Sequence, residues 1–219
     1  MSKKIAVILS GCGYLDGSEI REAVLTLTAL DTLEAKVSIF APNQDQFHVV
    51  NHILGTENQE NRNIIEESAR IARGDVTNLT ELSAQDFDGI IFPGGFGVAK
   101  NLCNWAFEGS NCQVDSNIEK LIKNFYELKK PIAAICIAPA LIATVLGSQK
   151  ITVTIGNDQI TADEIIKTGA FHENKEVHEI CIDKKHKIIS TPAYMYGDAK
   201  LHKIQEGIFS CVKAMLELT

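Results

Sequence analysis

Pro131-Ile132-Ala133-Ala134-Ile135-Cys136-Ile137-Ala138-Pro139-Ala140-Leu141-Ile142-Ala143-Thr144-Val145-Leu146-Gly147 is the stretch that decides the fold. Its first part is a short unbroken apolar run, expected as a strand buried on both faces. From Ile137 onward the residues read as a helix closed by Gly147. The change of structure falls at Cys136. A cysteine at so abrupt a strand-to-helix junction is pushed out at the helix N-terminus, where unpaired N–H groups and the dipole favour a thiolate. This is the logic of a nucleophile elbow, with sulfur in place of a serine oxygen.

The same alternation extends in both directions. Ile5–Leu9 is expected as the first strand, leaving through Ser10-Gly11-Cys12-Gly13. Ser18 is expected to cap a helix to about Leu33 whose apolar face is Ile20, Ala23, Val24, Leu27 and Leu30. A strand over Lys36–Ala41 follows, then short helices over Phe47–Leu54 and Asn63–Ala72. Phe87–Phe92 is a strand opening into Pro93-Gly94-Gly95-Phe96-Gly97, and Ser116–Lys129 is an amphipathic helix. Thr161-Ala162-Asp163-Glu164 fits a capping box for a helix over Ala162–Lys167. Glu176–Ile182 and Lys187–Thr191 read as a hairpin, and Leu201–Leu218 as a closing helix. Strands alternating with helices imply a doubly wound α/β sandwich: a mostly parallel sheet, helices on both faces and a late hairpin. One domain over residues 1–219 is expected, since no linker-like stretch interrupts the pattern.

Composition narrows the function classes. The chain has 219 residues, of which 45% are hydrophobic, enough for a large core. A formal charge of −7 argues against nucleic acid or an anionic membrane as a partner. No apolar run approaches the ~20 residues of a membrane span. The opening Met-Ser-Lys-Lys-Ile5–Leu9 is too short for a secretory h-region, and a cytoplasmic location is expected. The six cysteines, at 12, 103, 112, 136, 181 and 211, form no CxxC pair and are expected as reduced thiols.

In an open α/β sheet, ligands sit beyond the carboxyl ends of the strands. Three segments emerge there: Gly11–Glu19, Pro93–Gly97 and Cys136-Ile137. Cys136 supplies a nucleophile. Gly94 and Gly95 lack Cβ atoms, so their backbone can approach a substrate and offer N–H donors to an oxyanion, together with the amide of Ile137. Glu19, in the first turn of its helix, can bring a carboxyl group beside the sulfur. A charged Glu19 would raise the Cys136 pKa. Activation therefore requires a protonated Glu19 donating to the thiolate, with a raised Glu19 pKa and a depressed Cys136 pKa.

Asp88-Gly89-Ile90-Ile91-Phe92-Pro93-Gly94-Gly95, followed some forty residues later by Ala134-Ile135-Cys136-Ile137-Ala138-Pro139, resembles the ThiJ/PfpI superfamily of the class I glutamine-amidotransferase-like fold. Ile8-Leu9-Ser10-Gly11-Cys12-Gly13, Asp16-Gly17-Ser18-Glu19-Ile20, the run Pro93 to Leu102 and Thr191-Pro192-Ala193-Tyr194-Met195 are similar to its ElbB-type members, which are linked to isoprenoid biosynthesis and glyoxalase activity. The resemblance implies a flavodoxin-like sandwich, a homodimer, Cys136 as nucleophile and Glu19 as its partner. It also implies a cofactor-independent, metal-free reaction converting glyoxal or methylglyoxal to the 2-hydroxy acid, with apparent deglycase activity as a related readout. Two other classes stay open: a redox or stress protein with Cys136 as oxidation sensor, and a binding protein supporting isoprenoid biosynthesis. Residue 137 is isoleucine where protease-like relatives carry histidine, and Tyr194 stands where a late histidine would arrive, so peptidase and glutaminase activities fall behind.

Cys12, His172 and Tyr194 are further pocket candidates, His172 as the best remaining base. His48 and His52 are four apart on the helix expected over Phe47–Leu54 but lack the third ligand of a metalloprotease pattern. His178 alternates with apolar strand residues and is expected to face outward. Arg62, Arg70 and Arg73 are a candidate anion patch or a solvated helix face.

Overall fold

The structure, a computed structural model, describes residues 2–219. Seven strands form one sheet: β1 (Lys4–Ile8), β2 (Lys36–Ala41), β3 (Thr77–Asn78), β4 (Gly89–Phe92), β5 (Ile132–Ile135), β6 (Cys181–Asp183) and β7 (Ile188–Thr191). Their order is β6-β7-β5-β4-β1-β2-β3. Every neighbouring pair is parallel except the β6–β7 hairpin. All four residues of β4, of β5 and of β7 are buried, which is why these strands read as continuous apolar runs rather than alternating ones.

Period-two alternation still sorts those side chains between two layers. Ala6, Ile8, Ile90, Phe92, Ile132 and Ala134 face one core, with helices α3 (Ser116–Glu127) and α4 (Ala138–Leu146) packed against it. Val7, Ile91, Ala133 and Ile135 face the other, under α1 (Ile20–Thr32) and the C-terminal α6 (Leu201–Glu217). Two further helices, α2 (Ile64–Ala72) and α5 (Gln159–Lys167), complete the flanks. The result is the expected three-layer α/β sandwich, a mostly parallel sheet with a late antiparallel hairpin.

Several local expectations change. The α1 helix is capped by Glu19, whose side chain accepts from the Glu22 N–H, rather than by Ser18. Its buried stripe is Glu22, Ala23, Thr26, Ala29 and Leu30, while Ile20 and Val24 are 46% and 45% exposed. Both stripes obey helical spacing, so hydrophobicity alone chose the wrong phase. Residues 47–54 form a turn and part of a two-stranded ribbon pairing Val50–Asn51 with Thr56–Glu57 instead of a helix. The helical pairing of His48 with His52 goes with it. Helix α5 starts one turn early because Asp158 accepts from the Thr161 N–H and caps it, displacing the capping box. His178 lies in a turn outside the strands, since β6 begins only at Cys181.

Candidate active site

The loop after β1 and the loop after β4 are stitched into one floor. Phe96 N–H donates to Tyr14 O at 2.8 Å, Gly97 N–H to Gly17 O at 2.9 Å, and Glu19 N–H to Gly94 O at 2.9 Å. The buried Asn101 carboxamide donates to Ser10 O and Asp16 O at 2.8 and 2.9 Å. The approach is so close that a Cβ on Gly95 would lie 2.3 Å from the Glu19 nitrogen, and one on Gly97 2.5 Å from Gly17 Cα. Only glycine fits at either place.

Cys136 leaves β5 with φ 60, a left-handed conformation costing a non-glycine residue of order 1–3 kcal/mol. Its N–H is held by Thr191 O at 2.9 Å, and α4 begins two residues later. The strained junction aims the sulfur between the two stitched loops, where the N–H groups of Gly95 and Ile137 donate to it. Only 7% of Cys136 is exposed.

The carboxyl group against that sulfur belongs to Glu22. It is completely buried: Oε1 accepts from the Tyr194 N–H and Oε2 from the Gly94 N–H, each at 3.0 Å, and the carboxyl group lies against the Cys136 side chain. A Cβ on Gly94 would meet Cys136 Cβ at 2.4 Å and Glu22 Oε2 at 2.5 Å. Glycine at 94 is therefore what lets the acid and the sulfur meet. Glu19, the carboxylate expected here, is one turn away and serves as the α1 cap. Helix spacing explains the replacement: residue 22 lies on the buried stripe of α1, and Glu19 precedes the helix.

The electrostatics follow from burial. Burial first, and the nearby Glu19 charge second, push Glu22 up to about 8, against the N–H groups of Tyr194 and Gly94 and the thiol, which pull it down. Burial also raises Glu19, opposed by the Glu22 and Arg21 N–H groups and the Arg21 charge. Cys136 is raised well above an ordinary thiol by burial and the Glu22 charge, which outweigh the Gly95 and Ile137 N–H groups. The expected depression of its pKa is corrected accordingly: the helix terminus supplies donors, but desolvation is the larger effect. Cys136 and Glu22 thus form a coupled pair that holds its last proton tightly.

The other candidates separate. Tyr194 belongs to the site through its N–H, and its hydroxyl accepts from Arg21 at 2.8 Å. Gly95 and Ile137 direct N–H groups at the sulfur, whereas the Gly94 N–H is committed to Glu22. Cys12 is half-buried with Glu67, Arg70 and Asp16 as its charged neighbours. His172 lies in a short strand pairing with Val153, where its Nε2 accepts from the Ile155 N–H at 3.1 Å. Arg70 and Arg62 converge on the buried Glu67, and Arg73 ends α2 in a left-handed conformation, so the three form no open anion patch. His48 and His52 instead make separate contacts with Glu57 and Asp16. Among the described residues, no group of three or more His, Cys, Asp or Glu side chains is placed to hold a metal ion, and no helix is long and apolar enough to cross a membrane.

Comparison with known proteins places this sandwich and its cysteine elbow in a family. The chain belongs to the DJ-1/PfpI family, which it matches over residues 3–191. It is 46% identical over 99% of its length to the human "Glutamine amidotransferase-like class 1 domain-containing protein 3, mitochondrial", covering 83% of that protein. It is 45% identical to the rat "ES1 protein homolog, mitochondrial", covering 99% of this chain and 84% of that protein. Among solved structures, it superposes with a TM-score of 0.93, at 38% identity and over 99% of both chains, on an isoprenoid biosynthesis protein with an amidotransferase-like domain from Ehrlichia chaffeensis. The cytoplasmic location expected from the sequence is overturned by these relatives, which are described as mitochondrial.

Proposed function

We propose that the chain is a cofactor-independent, glyoxalase-like enzyme in which Cys136 is the nucleophile and Glu22, rather than Glu19, moves the proton. The observation that carries this reading is the direct contact of a fully buried glutamate with the elbow thiol, beside two N–H donors from Gly95 and Ile137. The narrow exposure of Cys136 favours a two- or three-carbon aldehyde over a peptide chain. A base with a pKa near neutrality suits repeated proton transfer.

Written through, Cys136 sulfur adds to the aldehyde carbon of glyoxal or methylglyoxal, and its proton passes through Glu22 to the carbonyl oxygen, giving a hemithioacetal. The N–H groups of Gly95 and Ile137 steady the negative charge on that oxygen. Glu22 next removes the remaining proton on the former aldehyde carbon to form an enediol and returns it to the neighbouring carbon, leaving a thioester. Water cleaves the thioester, releasing glycolate or lactate and the thiol. One carbon is oxidised and its neighbour reduced, so no external oxidant is consumed.

The likeness to the Ehrlichia chaffeensis isoprenoid biosynthesis protein supports an ElbB-type placement within the family. Glyoxal turnover by the purified protein tests the reaction. Wild type and Glu19→Gln should turn over glyoxal, while Cys136→Ala and Glu22→Gln should lose at least a hundredfold, the scale of a removed nucleophile or general base. Turnover that survives Cys136→Ala would end the proposal.

A further inference from the structure

A second thiol site lies apart from Cys136. The chain turns back on itself between Cys103 and Cys112: Cys103 makes an antiparallel bridge to Val114, Asn104 N–H donates to Gln113 O at 3.1 Å, and Gln113 N–H donates to the Asn104 side chain at 2.6 Å. Cys112 is two residues before Val114, so its side chain falls on the face shared with Cys103. Both side chains pack into the same core cluster, where each thiol shifts the ionisation of the other. Each is also held from behind, Cys103 by Val98 O at 3.3 Å and Cys112 by the Thr144 hydroxyl at 3.4 Å. Cys103 is buried and Cys112 is partly open to solvent.

We propose that Cys103 and Cys112 are a peroxide-sensitive dithiol, in which Cys112 is attacked first and Cys103 resolves it as an intramolecular disulfide. The Cys112 thiolate attacks one oxygen of hydrogen peroxide, the O–O bond breaks, and hydroxide leaves, giving a sulfenic acid. Cys103 sulfur then attacks Cys112 sulfur, the S–O bond breaks, and its hydroxyl leaves as water with the Cys103 proton. Two thiols and one peroxide give one disulfide and two waters. Exposure sets this order, since Cys112 is partly open to solvent and Cys103 is buried, and the electrostatics agree: the neighbouring Cys103 lowers the Cys112 thiol, whereas Cys103 and Cys136 are both raised. Oxidation removes the proton that Cys103 donates to Val98 O, at the start of the 98–102 helical turn that continues from the Gly94-Gly95 loop.

The test is thiol mapping of wild type after one equivalent of hydrogen peroxide, alkylation in denaturant and peptide mass analysis. The expected product joins the Cys103 and Cys112 peptides within one chain, with two of the six thiols lost and both regained after dithiothreitol. In Cys103→Ser, the sulfenic acid should instead persist on Cys112 and be trapped by dimedone. Peroxide that oxidises Cys136 or another cysteine while 103 and 112 remain alkylatable would overturn the proposal, and so would a disulfide joining different partners. Because the wild-type result stands alone, a poorly folded variant does not protect the idea.

Discussion

Replacing Glu22 by Gln removes an ionisable group from a fully buried position and should leave a signature in stability against pH. Burial raises Glu22 from an ordinary 4.5 to about 8, so between those values the folded chain holds a proton that the unfolded chain has released. Stability from this group is therefore fully present below about pH 4.5 and is lost as pH rises through 8. The linkage relation gives a loss of about 3 kcal/mol between about pH 5 and about pH 8. Glutamine does not titrate, but its amide nitrogen must face the N–H of either Gly94 or Tyr194, leaving that donor unpaired at a cost of about 1–3 kcal/mol. Wild type should therefore be the more stable protein in mild acid. The gap should close by about 3 kcal/mol toward pH 8, where the variant draws level or passes it. Urea unfolding of both proteins at matched pH values measures the gap, and the difference cancels every titrating group except Glu19 and Cys136, which are coupled to Glu22. A gap constant across the range to within about 0.5 kcal/mol would mean that Glu22 titrates alike in both states, refuting the desolvated carboxyl group.

Two further outcomes test the scaffold. Gly94→Ala drives a methyl group into both Cys136 Cβ and Glu22 Oε2, and should cost about 1–3 kcal/mol in urea unfolding while also slowing Cys136 alkylation; an unaltered unfolding midpoint would contradict the close packing. Cys136→Gly should be about 1 kcal/mol more stable than Cys136→Ala, since both lack the thiol but only glycine is at ease at φ 60. Equal stabilities would deny the strain.

The main strands and helices, the parallel sheet, the late hairpin and the elbow are legible in the chain because buried strands and capped helices leave strong local patterns, whereas the two-residue edge strand Thr77–Asn78 leaves none. The residues 131–147 state their own geometry. The partner acid is not so plain. Glu22 sits on a stripe with Ala23, Thr26, Ala29 and Leu30, whose small side chains signal close packing against the sheet, yet Ile20, Val24 and Leu27 form a more apolar stripe on the same helix. A pattern rule that buries the greasier face turns Glu22 to solvent and leaves Glu19 as the nearest carboxylate. The usable signal was that the Gly94 loop and the Thr191–Met195 segment end on bare N–H groups that require an acceptor. Which carboxylate meets them depends on tertiary packing of α1 on α6. The sign of the Cys136 shift was missed for a related reason: dipole and donors are visible in a motif, whereas desolvation is a property of the assembled core.

The most direct measurement is the rate of iodoacetamide alkylation at Cys136 against pH, read by peptide mass analysis in wild type, Glu19→Gln and Glu22→Gln. Wild type should react with an apparent midpoint well above the ~8.5 of an ordinary thiol, Glu22→Gln should bring that midpoint down by removing the facing charge, and Glu19→Gln should move it far less. A wild-type midpoint near ~8.5 that Glu22→Gln leaves in place would contradict the Cys136–Glu22 pair.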